Sequence, residues 1–98
     1  MTTLELHPPQ RKTDLLSATG ETLRAIRTES GLTLKQVAEG AHVSVSYLAE
    51  IERGEKDPSS RVLESIAAGL SIEVKVLLLR IADALEPETP AVTPVLAA

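Results

Sequence analysis

Residues 32–54 decide the fold: Leu32-Thr33-Leu34-Lys35-Gln36-Val37-Ala38-Glu39-Gly40-Ala41-His42-Val43-Ser44-Val45-Ser46-Tyr47-Leu48-Ala49-Glu50-Ile51-Glu52-Arg53-Gly54. Thr33 and Gln36 stand at capping-box spacing, in which the hydroxyl and the amide side chain satisfy each other's orphan backbone donors, so a helix opens there. Leu34, Val37, Ala38 and Ala41 then fall on its inner face. That helix is short, because a second one begins just beyond His42-Val43, at Ser44, a favoured N-cap residue. Val45, Leu48 and Ile51 are the apolar positions of this second helix, and Gly54 ends it.

The pattern continues outward on both sides. Leu16, Thr19, Leu23 and Ile26 share one helical face from about Leu15 onward, and Gly31 stops that helix. On the C-terminal side, polar residues 55–60 lead into a helix whose inward set is Val62, Leu63, Ile66, Ala67 and Leu70. Ser71 is expected to cap a fifth helix, from Ile72 to about Leu85. Residues 1–14 are polar, contain Pro8-Pro9 and hold no sustained period, which makes them a flexible N-terminal arm. In residues 86–98, Pro87, Pro90 and Pro94 cannot continue a helix, so an extended tail follows the domain of residues 15–85. Five helices without a strand signal define an all-α fold.

Composition agrees with one small domain. Leu, Ile and Val make up 28 of 98 residues, enough for a core, and that core must be aliphatic because Tyr47 is the only aromatic side chain. A domain this small buries only about two-thirds of its unfolded surface, so a partner would help to stabilise it. The absence of cysteine excludes disulfides and thiolate metal sites. The two histidines have no carboxylate at triad-like or metal-like spacing, and no glycine-rich phosphate loop occurs; no enzyme activity, cofactor or metal is expected. The start of the chain has no basic region followed by an apolar run. The longest uninterrupted run of Leu and Val, Val76–Leu79, is stopped by Arg80. Neither an export signal nor a membrane partner is implied, and the expected location is the cytoplasm.

Two short helices joined by about four residues cannot lie antiparallel over a long contact. They cross steeply and leave one side of the second exposed, which is the geometry of a helix-turn-helix. Ser44, Val45, Ser46, Ala49, Glu50 and Arg53 form that outward side, suited to a DNA major groove about 12 Å wide. The run Leu32–Ala38, then Val43-Ser44, Tyr47-Leu48, Ile51-Glu52-Arg53-Gly54 and Pro58-Ser59, resembles the Cro/C1-type (XRE, lambda-repressor-like) family of bacterial DNA-binding regulators, over about residues 16–80. Within that family, residues 47–60 look most like the actinobacterial Clp gene regulators, which activate genes for the Clp protease and other stress functions.

The resemblance implies roles for individual residues. Ser44, Val45, Ser46 and Glu50 match positions that face base edges, and Tyr47, Arg53 and Lys56 match positions used on the phosphate backbone. Arg27 and Glu52 match an ion pair that ties the first helix to the recognition helix. Three positions depart from the pattern. His42 stands where glycine is common, Leu34 replaces a phosphate-binding glutamine, so that Lys35 or Gln36 must supply the anchor, and Glu55 adds negative charge beside the phosphate path. Glu50 also has another reading, as a solvated charge or a partner for Arg53 three residues on.

On the fifth helix, Val74, Leu77, Leu78, Ile81 and Leu85 follow the helical period, while Val76 and Leu79 lie off that face. One small domain has difficulty burying both sets, so the helix is expected to form a two-fold homodimer interface. A dimer would set two recognition helices roughly 34 Å apart, matched to a palindromic operator on double-stranded DNA. The end Val95-Leu96-Ala97-Ala98 resembles C-terminal tags of Clp-type protease substrates, which makes such a protease a candidate partner. Against DNA binding stands a net charge of −4, where a basic surplus is usual. A protein-binding adaptor or antitoxin-like module, using the acidic surface and the fifth helix, is the competing function.

Overall fold

Four of the five helices begin where a side chain takes up an orphan backbone donor. A computed structural model describes residues 14–85 as five helices: α1 (Leu15–Glu29), α2 (Leu34–Ala41), α3 (Val45–Glu52), α4 (Ser60–Gly69) and α5 (Val74–Ala84), with no strand among the described residues. Asp14, placed in the arm on sequence grounds, caps α1 by accepting from the Ser17 amide at 3.0 Å. The expected capping box is complete: the Gln36 amide donates to Thr33 Oγ1 at 3.0 Å, and the Thr33 amide donates to Gln36 Oε1 at 2.9 Å. Ser44 caps α3 through the Tyr47 amide at 3.0 Å, and Ser59 caps α4 through the Val62 amide at 3.2 Å.

Four of the helices stop in the same way. A residue with positive φ follows the helix, its N–H donates to the carbonyl three residues back in the last turn, and the next N–H donates five residues back. At α1 and α3 the positive-φ residue is a glycine, Gly31 (φ 72°) or Gly54 (φ 77°). At α2 it is His42 (φ 60°), with the Val43 amide donating to the Ala38 carbonyl at 3.0 Å. At α4 it is Ser71 (φ 61°), with the Ile72 amide donating to the Ala67 carbonyl at 3.0 Å. Ser71 therefore does not cap the fifth helix. It closes the fourth, and α5 starts at Val74 behind Glu73, whose side chain makes no capping bond. A side chain at φ near +60° crowds the carbonyl that follows, so His42 and Ser71 hold their conformations against local strain.

The core is small and aliphatic. Leu23, Val37, Leu48, Ile51, Ile66 and Leu77 are its largest fully buried side chains, drawn from all five helices. Two contacts bring backbones together without intervening side chains. A Cβ on Gly69 would lie 2.8 Å from the Val37 carbonyl oxygen, so α4 rests directly on α2. A Cβ on Gly20 would lie 2.5 Å from the Ile51 carbonyl oxygen, so α1 abuts the last turn of α3. The helix expected to enter DNA is thereby seated at its base on the body of the domain.

The interface expected on the fifth helix requires correction. Leu77 and Ile81 retain 0% and 4% of their exposure and belong to the subunit's own core, while Val74 and Leu85 are half-buried against it. All of the regular apolar stripe except Leu78 is taken up within the subunit, because that face of α5 packs on α1 and α4. What remains outside is Leu78 (50% exposed) with the off-period pair Val76 and Leu79 (43% and 57%). Arg80 links α5 to α1 by a two-pronged ion pair with Glu29, both bonds 3.0 Å. No described helix is long and apolar enough to cross a membrane. The rest of the arm, residues 1–13, and the tail, residues 86–98 with the protease-tag motif, lie outside the described residues.

Candidate nucleic-acid interface

α3 buries only two side chains, Leu48 and Ile51, and these anchor it to the core. The opposite side faces outward: Ser44, Val45 and Ser46 are exposed at its start, and Tyr47, Ala49 and Glu50 are half-buried. Ser44 Oγ accepts the Tyr47 amide proton, which leaves the hydroxyl hydrogen available to an outside acceptor. Tyr47 packs partly on the core. This joins its ring to the scaffold while one side remains accessible.

One charged pair fixes the far end of the helix. Arg27 Nε donates to Glu52 Oε2 at 2.7 Å and Nη2 donates to Oε1 at 3.0 Å, a two-pronged contact between α1 and α3. Nη1 donates in addition to the Leu32 carbonyl at 3.0 Å, so the same guanidinium braces the turn before α2. The pair is largely shielded, with side-chain exposures of 13% and 7%. Hydrogen bonding to Glu52 raises the Arg27 pKa above its ordinary value despite the opposing effect of burial. Spacing alone does not foretell this pair, whose members lie 25 positions apart; the bond to Leu32 has no sequence signal at all.

Arg53, just past α3, has a different partner from the one its spacing suggests. Its Nε and Nη2 donate to the two carboxylate oxygens of Glu55 at 3.0 and 3.1 Å, not to Glu50. Both side chains are more than half exposed. The Arg53 hydrogen bonds hold the Glu55 carboxyl below the usual carboxylate range, helped by the charge of Lys56, and Glu55 raises Arg53 in turn. Sequence reasoning placed Glu55 near the phosphate path but did not pair it with Arg53, because the turn at Gly54 sets their approach.

The other expected backbone contacts flank this helix. Lys35, Gln36 and Lys56 are exposed. Gln36 spends its carbonyl oxygen on the capping box, which leaves the amide nitrogen for a phosphate oxygen. A cleft of about 400 Å³ runs between α1 and α3, lined by Ser17, Glu21, Arg24, Arg27, Leu34, Ala49, Glu52 and Arg53. Arg24 is a residue that the reading of the motif missed. It is exposed on the same cleft as Arg53, and its position one turn before Arg27 was the available signal. Among the described residues no group of three or more metal-type ligands occurs.

Known proteins match this arrangement in sequence and in shape. A family model described as helix-turn-helix matches residues 23–77. The transcriptional regulator ClgR of Mycobacterium tuberculosis is 45% identical over 60 residues, which cover 61% of this chain and 54% of that protein. The regulator SinR of Bacillus subtilis is 40% identical over 60 residues, covering 60% and 54%. The chain thus spans about half the length of these curated relatives. Among solved structures, the clp gene regulator ClgR from C. glutamicum superposes with a TM-score of 0.70 at 38% identity, covering 74% of this chain and 95% of that one. The restriction-modification controller protein C.Esp1396I superposes with a TM-score of 0.69 at 26% identity, covering 74% and 96%.

Proposed function

The chain belongs to the helix-turn-helix family, in its Cro/C1-type (XRE) branch, and on that premise we propose that it is a sequence-specific DNA-binding transcriptional regulator acting as a homodimer on a palindromic operator. The observation that carries the proposal is α3 itself: a helix seated by Leu48, Ile51 and the Arg27–Glu52 pair, with Ser44, Val45 and Ser46 exposed at its start. Side chains held on a fixed mount keep their register in the major groove.

In this reading Ser44, Val45, Ser46 and Glu50 face the bases. The serine hydroxyls donate or accept, Val45 touches a thymine methyl, and Glu50 accepts from cytosine N4. Lys35, Gln36, Tyr47, Arg53 and Lys56 hold the phosphates and set the register. Val76, Leu78 and Leu79 form the exposed apolar part of the dimer surface, bordered by Val74 and Leu85. Similarity to the clp gene regulators extends the proposal to activation of Clp protease and stress genes.

Salt provides the test. Binding of a fluorescent duplex through several phosphates should weaken by orders of magnitude between about 50 and 200 mM salt. A protein-binding adaptor would bind no duplex even at the lower concentration. Once a preferred site has been selected from random DNA, exchange of Ser46 and Glu50 should change that preference and leave the circular dichroism spectrum unaltered. Unchanged preference would remove both residues from the reading face.

A further inference from the structure

We propose that Glu55 is an internal competitor for DNA phosphate, holding down the affinity of the protein for any duplex by occupying Arg53. The inference rests on the DNA-binding function proposed above. The carboxylate takes the Nε and Nη2 donors of Arg53 together, at 3.0 and 3.1 Å. That edge of a guanidinium is one that grips two phosphate oxygens, so the two anions compete for the same hydrogen bonds. The competitor cannot drift away with its backbone. The Glu55 amide donates to the Glu50 carbonyl at 2.9 Å and the Gly54 amide to the Ile51 carbonyl at 3.0 Å, which locks the turn against the end of α3. Only the side chain can swing.

DNA then meets one of two situations at this corner. Either Arg53 leaves Glu55 and gives up two charge-assisted hydrogen bonds, or it stays and the Arg53–Glu55 unit approaches the phosphate with no net charge. Both weaken the sequence-independent part of binding, which arises from phosphate neutralisation. The base-facing side chains Ser46 and Glu50 take no part in the pair. In a chain with a net charge of −4, this places control of bulk DNA affinity on one exposed carboxylate.

The experiment compares wild type, Glu55→Gln, Arg53→Gln and the double variant on a random-sequence 20-base-pair duplex, by fluorescence anisotropy across a salt series. All four should keep the wild-type circular dichroism melt, since both side chains lie on the surface. Glu55→Gln should bind about threefold to tenfold more tightly at 50 mM salt, as expected for release of an exposed ion pair and loss of a like charge. Its log K against log salt slope should steepen by about 0.9 per protomer, because one more phosphate is neutralised. In the Arg53→Gln background the same change should gain less than half as much, having no guanidinium to release. Wild-type binding with no gain from Glu55→Gln, or an equal gain in both backgrounds, would overturn the competitor and leave DNA binding standing. Failure of wild type and Glu55→Gln alike to bind duplex at 50 mM salt would overturn the DNA-binding reading and this proposal with it.

Discussion

Replacing Arg27 by methionine should cost about 3–5 kcal/mol of folding stability, while replacing Arg27 by methionine and Glu52 by leucine together should cost little or nothing. The magnitude follows from what Glu52 would be left with. Its carboxylate is 7% exposed and receives bonds at 2.7 and 3.0 Å from Arg27, so the single variant strands a charge with almost no access to water. The bond from Arg27 to the Leu32 carbonyl is lost as well. Domains of this size hold about 5–15 kcal/mol in total, so the single variant should sit near the edge of unfolding at 25 °C. In the double variant no charge is buried and the volume is nearly conserved. Urea unfolding followed by far-ultraviolet circular dichroism measures both, with the midpoint and slope fitted separately. The reasoning is refuted if the single variant loses less than about 1 kcal/mol, or if the double variant is as damaged as the single.

Further outcomes follow from other parts of the molecule. His42→Gly and Ser71→Gly should each stabilise the fold by up to about 1 kcal/mol, because both residues sit at positive φ; a melting temperature raised by about 4–8 °C per kcal/mol is the readout. Gly20→Ala should destabilise by about 1–3 kcal/mol, since its new methyl would lie 2.5 Å from the Ile51 carbonyl oxygen, and the same melt checks it. On the proposed homodimer, Val76→Glu with Leu79→Glu should convert a dimeric wild type into a folded monomer by analytical ultracentrifugation; an unchanged sedimentation coefficient would refute an interface at these residues. Glu29 is held below the usual carboxylate range by its hydrogen bonds from Arg80, so its contribution is present above the unfolded carboxyl pKa and lost as pH falls through the lower folded value. Glu29→Gln should therefore flatten the loss of melting temperature between about pH 5 and pH 3 relative to wild type.

Much of the architecture was readable because capping chemistry is local. Thr33 with Gln36, and Ser44 with the amide three residues on, announce the starts of α2 and α3 from sequence alone. Helix ends were less readable where the positive-φ residue was not glycine. Ser71 looks like a helix start by residue type, yet the chain uses it to close α4, because the bonds from Ser71 and Ile72 back to Ala68 and Ala67 need that conformation. Periodicity identified the residues that share a face of α5 but not what that face meets. Leu77 and Ile81 of the regular stripe went to the subunit core, while its Leu78 was left outside with the irregular residues Val76 and Leu79. The site divides in the same way. The exposure of Ser44 to Ser46 follows from helical period, and the Arg27–Glu52 pair followed only from family resemblance, while the Arg53–Glu55 fork depends on a turn geometry that residue spacing does not encode.

On the proposed DNA-binding function, the economy of α3 also bears on how such a protein would acquire new addresses in a genome. Leu48 and Ile51 are the buried ties of the helix to the hydrophobic interior, Tyr47 packs partly on it, and further bracing comes from Ser44, Arg27, Glu52 and a glycine on another helix. Ser46 and Glu50 lie outside that bracing, so exchanging them leaves the anchoring contacts in place. A library randomised at those two codons would consist mainly of folded members, and selection on it would sort for sequence preference with little interference from folding. Retargeting is thereby separated from survival of the fold, within a helix of eight residues.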